Sequence, residues 1–595
     1  MNKSNLFIVF TIYVIFILAT NNLRGNEYVS NSITLSDSTV SPEQGGEGFT
    51  GEGWITNMNY NTIGNPNAVK GGSIVLPLQD FPVTFRVVGE YANYYWNYIF
   101  YYELGYESLL GLDPVTLDDI PRLATHWWIS EDKKEFKFRI NPKARWSDGM
   151  PVTTEDVIAT WKLLVDPGIR SPYTNELFQG FDMPIAESKY IVSVKTKDLD
   201  WRMFKYFSQI SLLPAHVIGG LTGDQFLNMF DFEYVPGSGP YALDPNNVVD
   251  GKSITLTRRN DYWGYNEPWN KGKFNFDQIK FELVKGSEFE AFLNGNIDII
   301  DLTTVSKIRD WKKLDSDNSR TILRKEVFNK YPSGVRGICF NMRKPPFDDV
   351  NIRNALSYLY DRERFINELY DGYPKPEDSY WDNSEYANPS NPKVRYNPEE
   401  AKKYLLKSGW SSKNSDGYLE KNGKTLEAEI TYGSPTLTKF LTYYQEDCKK
   451  AGIKIKLKLL DISDSYINGS EREFQMIVAA WGGLLFPNPV SSFGSESADE
   501  LYSTNWAGVK NTRIDQLCNE YTISFDKTRR VEIVREIDGI LTDLQPYALS
   551  WYYPAQRLAL YNKFGYPESI LSKFGDLMDD IPIYWYCNPE NSIDH

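Results

Sequence analysis

The chain has 595 residues, 41% hydrophobic and 24% charged, with a formal net charge of −15. That length exceeds one hydrophobic core and calls for roughly three to four domains. The acidic balance, with no Lys/Arg-rich block, argues against a nucleic-acid partner, which needs a basic face. Three His and four Cys occur without a CxxC or an HExxH, so no zinc site is proposed. Cys339, Cys448, Cys518 and Cys587 admit two bridges in any of three pairings, or four small buried thiols. Aromatics reach 15%, which fits either a codon bias towards Tyr and Phe or an aromatic-lined cleft.

In chain order, Lys3 precedes an apolar run from Leu6 to Thr20. The run suits a signal-peptide core and falls short of the ~20 residues of a comfortable membrane span. Residues 1–25 are therefore expected to direct export, as a cleaved signal peptide or a retained anchor. Residues 26–65 are acidic and Ser/Asn/Gly-rich, and are expected to form a flexible lead-in. Structure should start at the strand in GGSIVLPL, after Val69. Asp148-Gly149 predicts a tight turn, and Thr153 with Asp156 a capping box before the helix carrying Val157, Trp161 and Leu164. Asp348 or Asp349 should cap a helix with Ile352, Ala355, Leu356 and Leu359 on one face. Asn397-Pro398 opens another helix, which Gly409 ends.

Further on, Leu426, Ala428, Ile430 and Tyr432 alternate with polar residues, as in a half-buried strand. A helix over Thr436–Ala451 follows, then a strand in which Ile453, Ile455, Leu457 and Leu459 interleave with lysines. Right-handed crossover makes those two strands parallel. A late helix carries Val531, Val534, Ile537, Leu541 and Leu544. Strands and helices alternate with no internal repeat, which indicates an α/β protein of several lobes.

A hydrolase should concentrate its chemistry, and the chain has no GxSxG or P-loop. Carboxylate pairs such as Asp348-Asp349 and Asp579-Asp580 keep a glycosidase-type dyad open.

Six stretches lie in one order: NPNAVKGG (Asn65–Gly72), RWSDGMPVTTEDV (Arg145–Val157), GSGPY (Gly237–Tyr241), RNDYWG (Arg259–Gly264), NGNIDI (Asn294–Ile299) and FNMRKPPFDDV (Phe340–Val350). Together they resemble the extracellular solute-binding proteins of family five, from about Asn65 to Pro589. The likeness is nearest to the large oligopeptide-binding branch that includes the binding protein of the microcin C/peptide importer. There DSYWDNSEYA (Asp378–Ala387) and the aromatic tail Ala548–Glu568 also have counterparts.

The resemblance implies an α/β, two-lobed periplasmic-binding-protein-like fold (class II, cluster C type) with an extra domain inserted in the first lobe. Domain I would combine 66–107, 199–300 and 549–595, domain II would span 108–198 and domain III 301–548. It implies a monomer, periplasmic or on the outer face of the cytoplasmic membrane. That protein captures oligopeptides in an interlobe cleft, closes on them and delivers them to the permease of an ABC importer. No catalysis, cofactor, metal or nucleic acid enters that function.

Ligand contacts carry over residue by residue. In the family one contact strand bears a Trp, followed by an Asp that holds the peptide's ammonium. In FQMIVAAWGGLLFPNP (Phe474–Pro489) Trp481 and Gly482 match, but Leu484 stands at the Asp position and no acid follows before Glu496. A buried ammonium without a counter-charge is costly, so the cleft is expected to take peptides with blocked or internally positioned N-termini, to use another acid such as Glu90, or to bind a different ligand such as a sugar. The facing segment supplies Val88, Gly89 and Glu90, and Tyr552 and Tyr553 are expected on the cleft side. An oligosaccharide or other non-peptide solute is the alternative, with Trp and Tyr as stacking surfaces; a secreted hydrolase is the third reading.

Overall fold

The structure, a computed structural model, describes residues 37–92, 95–314 and 321–591. The expected export segment lies outside the described residues. Strand β1 (Ser73–Leu78) alternates buried and half-buried positions and opens the first lobe. The chain then leaves for the inserted domain. There β2 (Ala124–Ile129), β3 (Glu135–Ile140), β4 (Ile185–Ala186) and β5 (Ile191–Lys195) form an antiparallel sheet in the order β2-β3-β5-β4. It returns as β6 (Tyr241–Val249), β7 (Ser253–Arg258) and β8 (Gln278–Leu283), and β8 pairs parallel with β1.

Next, β9 (Ile299–Asp301) and β10 (Ile322–Val327) lead into the second lobe. Its sheet consists of β11 (Val335–Phe340), β12 (Glu427–Tyr432), β13 (Lys454–Leu459), β14 (Met476–Trp481) and β15 (Tyr547–Leu549), ordered β13-β12-β14-β11-β15. The chain then comes back as β16 (Gln556–Tyr561), which lies between β9 and β10 and pairs antiparallel with both. The predicted βαβ unit is present: β12 and β13 run parallel on either side of a helix at Thr438–Ala451, entered through a single 3₁₀ turn at Pro435–Leu437. Asp349, not Asp348, caps the helix Val350–Tyr358, its carboxylate accepting from the N–H of Asn351 at 2.8 Å.

The recurring sequence stretches are joints held by close backbone approach. A Cβ on Gly237 or Gly239 would come within 2.0 or 2.5 Å of the carbonyls of Gly105 and Leu104, so only glycine fits. Arg259 of the RNDYWG stretch donates to the carbonyls of both glycines, at 3.3 and 2.9 Å. Tyr262 and Trp263 from the same stretch donate to the buried carboxylate of Glu107, at 2.6 and 2.9 Å. Burial pushes that carboxyl above its ordinary range. The charge is tolerable there because two strong donors face it.

The lead-in from Asp37 is irregular but less free than its composition predicts. Arg139 of β3 donates to the carbonyls of Gly45 and Gly46 at 2.8 Å each, and Ile55 bridges Trp127 of β2. Three or more such bonds outweigh the flexibility that the glycines confer.

A helix at Trp201–Ser208 ties the inserted domain to the second lobe. Phe204 and Phe207 pack on Phe136 and Phe138 of β3, with ring centroids 5.3–5.9 Å apart. Trp201, one turn earlier, instead enters the second-lobe core against Phe486 and Tyr521, both at 5.7 Å.

Candidate functional site

Between the lobes lies a cavity of about 420 Å³. One wall comes from Tyr98 and Tyr102, from the turn Leu110–Leu117 and from the C-terminal stretch around Phe574–Tyr584; the second lobe adds Tyr331 and Leu485. Asp113 shapes the turn by accepting from the backbone N–H of Asn61, Val115 and Thr116 at 2.7–2.9 Å. Burial works against its charge, yet those donors hold its carboxyl below the ordinary range. Tyr98 and Tyr102 pack at 4.9 Å and remain 47% and 40% exposed towards the cavity. Large aromatics left half-open in a cleft are what a ligand-binding wall requires.

Behind this cavity the second lobe holds a smaller chamber of about 220 Å³ at the C-terminal end of β14. Trp481 forms its floor, edge-on to Trp506 at 4.8 Å, with its indole N–H donated to the Tyr547 hydroxyl at 3.1 Å. Tyr380, Trp381 and Phe493 line it together with the polar side chains of Asn488, Ser491, Ser492 and Thr504. The stretch that carries Tyr380 and Trp381 hooks onto the buried carboxylate of Asp538, which accepts from the Ser379 hydroxyl at 2.7 Å and the Tyr380 N–H at 2.9 Å. Burial raises the Asp538 carboxyl. The loop after Trp481 is the partition: Leu484 lines the chamber and Leu485 the interlobe cavity.

The sequence-derived site residues fall into three places. Trp481 and Gly482 meet in the chamber. Val88 is buried. Gly89 takes φ +92°, with Leu227 and the Ile169 carbonyl close to where its Cβ would be. Glu90 forms an ion pair with Arg170 at 3.1 Å and lines an open pocket of about 440 Å³ with Arg86 and Asp231. That pocket shares no lining residue with the chamber or the interlobe cavity. Tyr552 is half-buried on a short strand paired with Lys375–Pro376, its hydroxyl pushed up to about 12 by burial and by Asp382, Asp378 and Glu377. Tyr553 stacks on Tyr373 at 5.9 Å. Neither lines the chamber.

Tyr98, Tyr102, Tyr331, Tyr380, Trp381 and Phe493 were missed. Only the DSYW stretch offered a signal, as aromatics inside a segment rich in hydrogen-bonding side chains. A larger cavity, about 690 Å³, lies elsewhere, beside the Lys563–Asp298 ion pair and Cys587, and contains none of the expected residues. All four cysteines are free thiols, and burial raises those of Cys339 and Cys518 to about 12. Among the described residues no group of three or more His, Cys, Asp or Glu is arranged to hold a metal ion, and no helix is long and apolar enough to cross a membrane.

This geometry, two α/β lobes joined by extended strands with an aromatic cavity between them, has direct relatives. The profile of the bacterial extracellular solute-binding proteins, family 5, matches residues 120–499, more than half of the chain. The chain belongs to that family. Among its relatives, the peptidoglycan-binding protein YepA of Agrobacterium fabrum is 27% identical over 558 residues, covering 85% of this chain and 89% of YepA. The protein YejA of Escherichia coli is 24% identical over 586 residues, 86% of this chain and 89% of that one. Among solved structures, the oligopeptide-binding protein AppA of Bacillus subtilis, held with a nonapeptide, superposes with a TM-score of 0.65 at 20% identity, covering 88% of this chain and all of AppA. NikZ of Campylobacter jejuni, in complex with Ni(L-His), gives the same TM-score at 19% identity over 86% of this chain and 99% of NikZ. The fold is thus shared by binders of different solutes. Family membership alone does not choose between them.

Proposed function

We propose that this family 5 member is an exported binding protein that captures oligopeptides between its lobes and delivers them to an ABC importer. The observation that carries the reading is the interlobe cavity, walled by half-exposed tyrosines from both lobes. Main-chain hydrogen bonding in such a cleft serves a peptide of any sequence, and lobe closure around it would bury the ligand. Trp481 and Gly482 are the proposed ligand contacts of the second lobe.

A second reading takes the ligand from peptidoglycan. It is favoured by the likeness to YepA, a peptidoglycan-binding protein, and by the uncharged aromatic chamber, whose flat faces would also receive a sugar ring. Native mass spectrometry of gently purified protein, followed by denaturation and identification of released molecules, tests both. A ladder of short peptides of mixed sequence supports the first reading, and muropeptides or glycans the second. Release of nothing, with no shift in melting temperature on adding peptides, overturns the peptide reading.

A further inference from the structure

Three glycines meet where the loop after β14 passes β11, and only two have a reason in the protein's own packing. A Cβ on Gly334 would lie 1.9 Å from the carbonyl oxygen of Trp481, and its φ is +77°. One on Gly483 would lie 1.9 Å from the carbonyl oxygen of Pro332. Gly482 differs: its φ is outside the left-handed region and a Cβ there would meet nothing within 4 Å. Glycine in an ordinary conformation costs backbone entropy and contributes no packing. Gly482 lines the chamber, and a Cβ there would find open space.

The chamber's lining contains no Asp, Glu, Lys or Arg. Leu484 is 57% exposed at the rim. A charge entering this space would lose hydration without a partner. The volume, about 220 Å³, is below the roughly 300–1,000 Å³ of a pocket for a whole ligand and suits one side chain. Its walls are fixed before anything binds, Trp481 braced by Trp506 and Tyr547, and the Tyr380–Trp381 stretch hooked to Asp538. Pre-formed walls lower the ordering cost of binding.

We infer that the chamber is a subsite for an uncharged aromatic or leucine-type side chain of the ligand, seated on the main chain at Gly482. The ligand's amino terminus therefore lies outside it. The inference rests on the peptide-binding reading of the cleft, and its test separates the two.

The probe is an equimolar library of synthetic tri- to pentapeptides, half with free and half with acetylated amino termini. Peptides retained by the wild type and by Gly482→Leu are identified by mass spectrometry. The wild type is expected to retain peptides rich in Phe, Tyr, Trp and Leu irrespective of acetylation. Gly482→Leu, which fills the seat from open space, is expected to reduce that enrichment at least tenfold with an unchanged melting temperature. Leu484→Asp, at an exposed position, is expected to shift the retained pool about tenfold towards free amino termini, and supplies the readout if Gly482→Leu does not fold. Retention without aromatic or leucine enrichment, enrichment that survives in a folded Gly482→Leu, or an unmoved pool in Leu484→Asp overturns the subsite and leaves the peptide reading standing. No retention of any library member overturns the peptide reading and the subsite together.

Discussion

Trp201→Ala is expected to loosen the two lobes more than it loosens either one. Trp201 is the first residue of its helix, capped by Asp200, whose carboxylate accepts from the N–H of Arg202 at 2.8 Å. The rest of that helix packs on the inserted domain through Phe204 and Phe207, but the Trp201 ring is only 3% exposed inside the second-lobe core, beneath the Arg530 guanidinium at 3.9 Å. Truncating a buried Trp costs about 3–5 kcal/mol, the stacked cation included. If the lobes part when the cleft opens, that cost falls on the closed state. At about 1.4 kcal/mol per decade, the closed state would lose a factor of about a hundred or more, and apparent ligand affinity would fall with it. Small-angle scattering should show a larger radius of gyration for the ligand-free variant. Titration with a ligand eluted from the wild type should show the weakened affinity. A variant whose melting temperature falls while its radius of gyration and affinity stay at wild-type values would refute the reasoning and make Trp201 an ordinary core residue.

Three further outcomes are expected. Gly483→Ala should fold poorly or melt several degrees lower, because its methyl meets the Pro332 carbonyl, whereas Gly482→Ala should melt within about a degree of wild type; thermal denaturation of the pair checks this. Burial raises the Asp156 carboxyl from 3.8 to about 6, against the lowering effect of the Ala215 and Thr153 N–H groups. The folded state therefore holds an extra proton between about pH 4 and 6. The associated stability, up to about 3 kcal/mol, is complete below pH 4 and lost as pH rises through 6, so the melting temperature of wild type minus that of Asp156→Asn should grow as pH falls from 7 to 4.5. Arg139→Ala removes both bonds to the Gly45 and Gly46 carbonyls and should make the segment before Trp54 the first site of limited proteolysis. An unchanged cleavage pattern would show that Asp37 and Ile55 hold it alone.

Much of the scaffold was legible because its joints are local. A capped helix or a βαβ unit leaves its mark along a short stretch of chain, as at Asp349 and in β12 and β13. The resemblance then placed the chain in its family and put Trp481 and Gly482 side by side in one wall. What sequence could not decide were the distances between segments far apart in the chain. Only the fold brings Tyr380 and Trp381 to Trp481, through the reach of Asp538 across 158 residues. Only the fold engages Glu90 with Arg170, 80 residues away. Periodicity and capping report on forces that act within a turn of the chain. The cleft is made by side chains whose neighbours in space are chosen by the packing of whole lobes, and that choice has no period in the sequence.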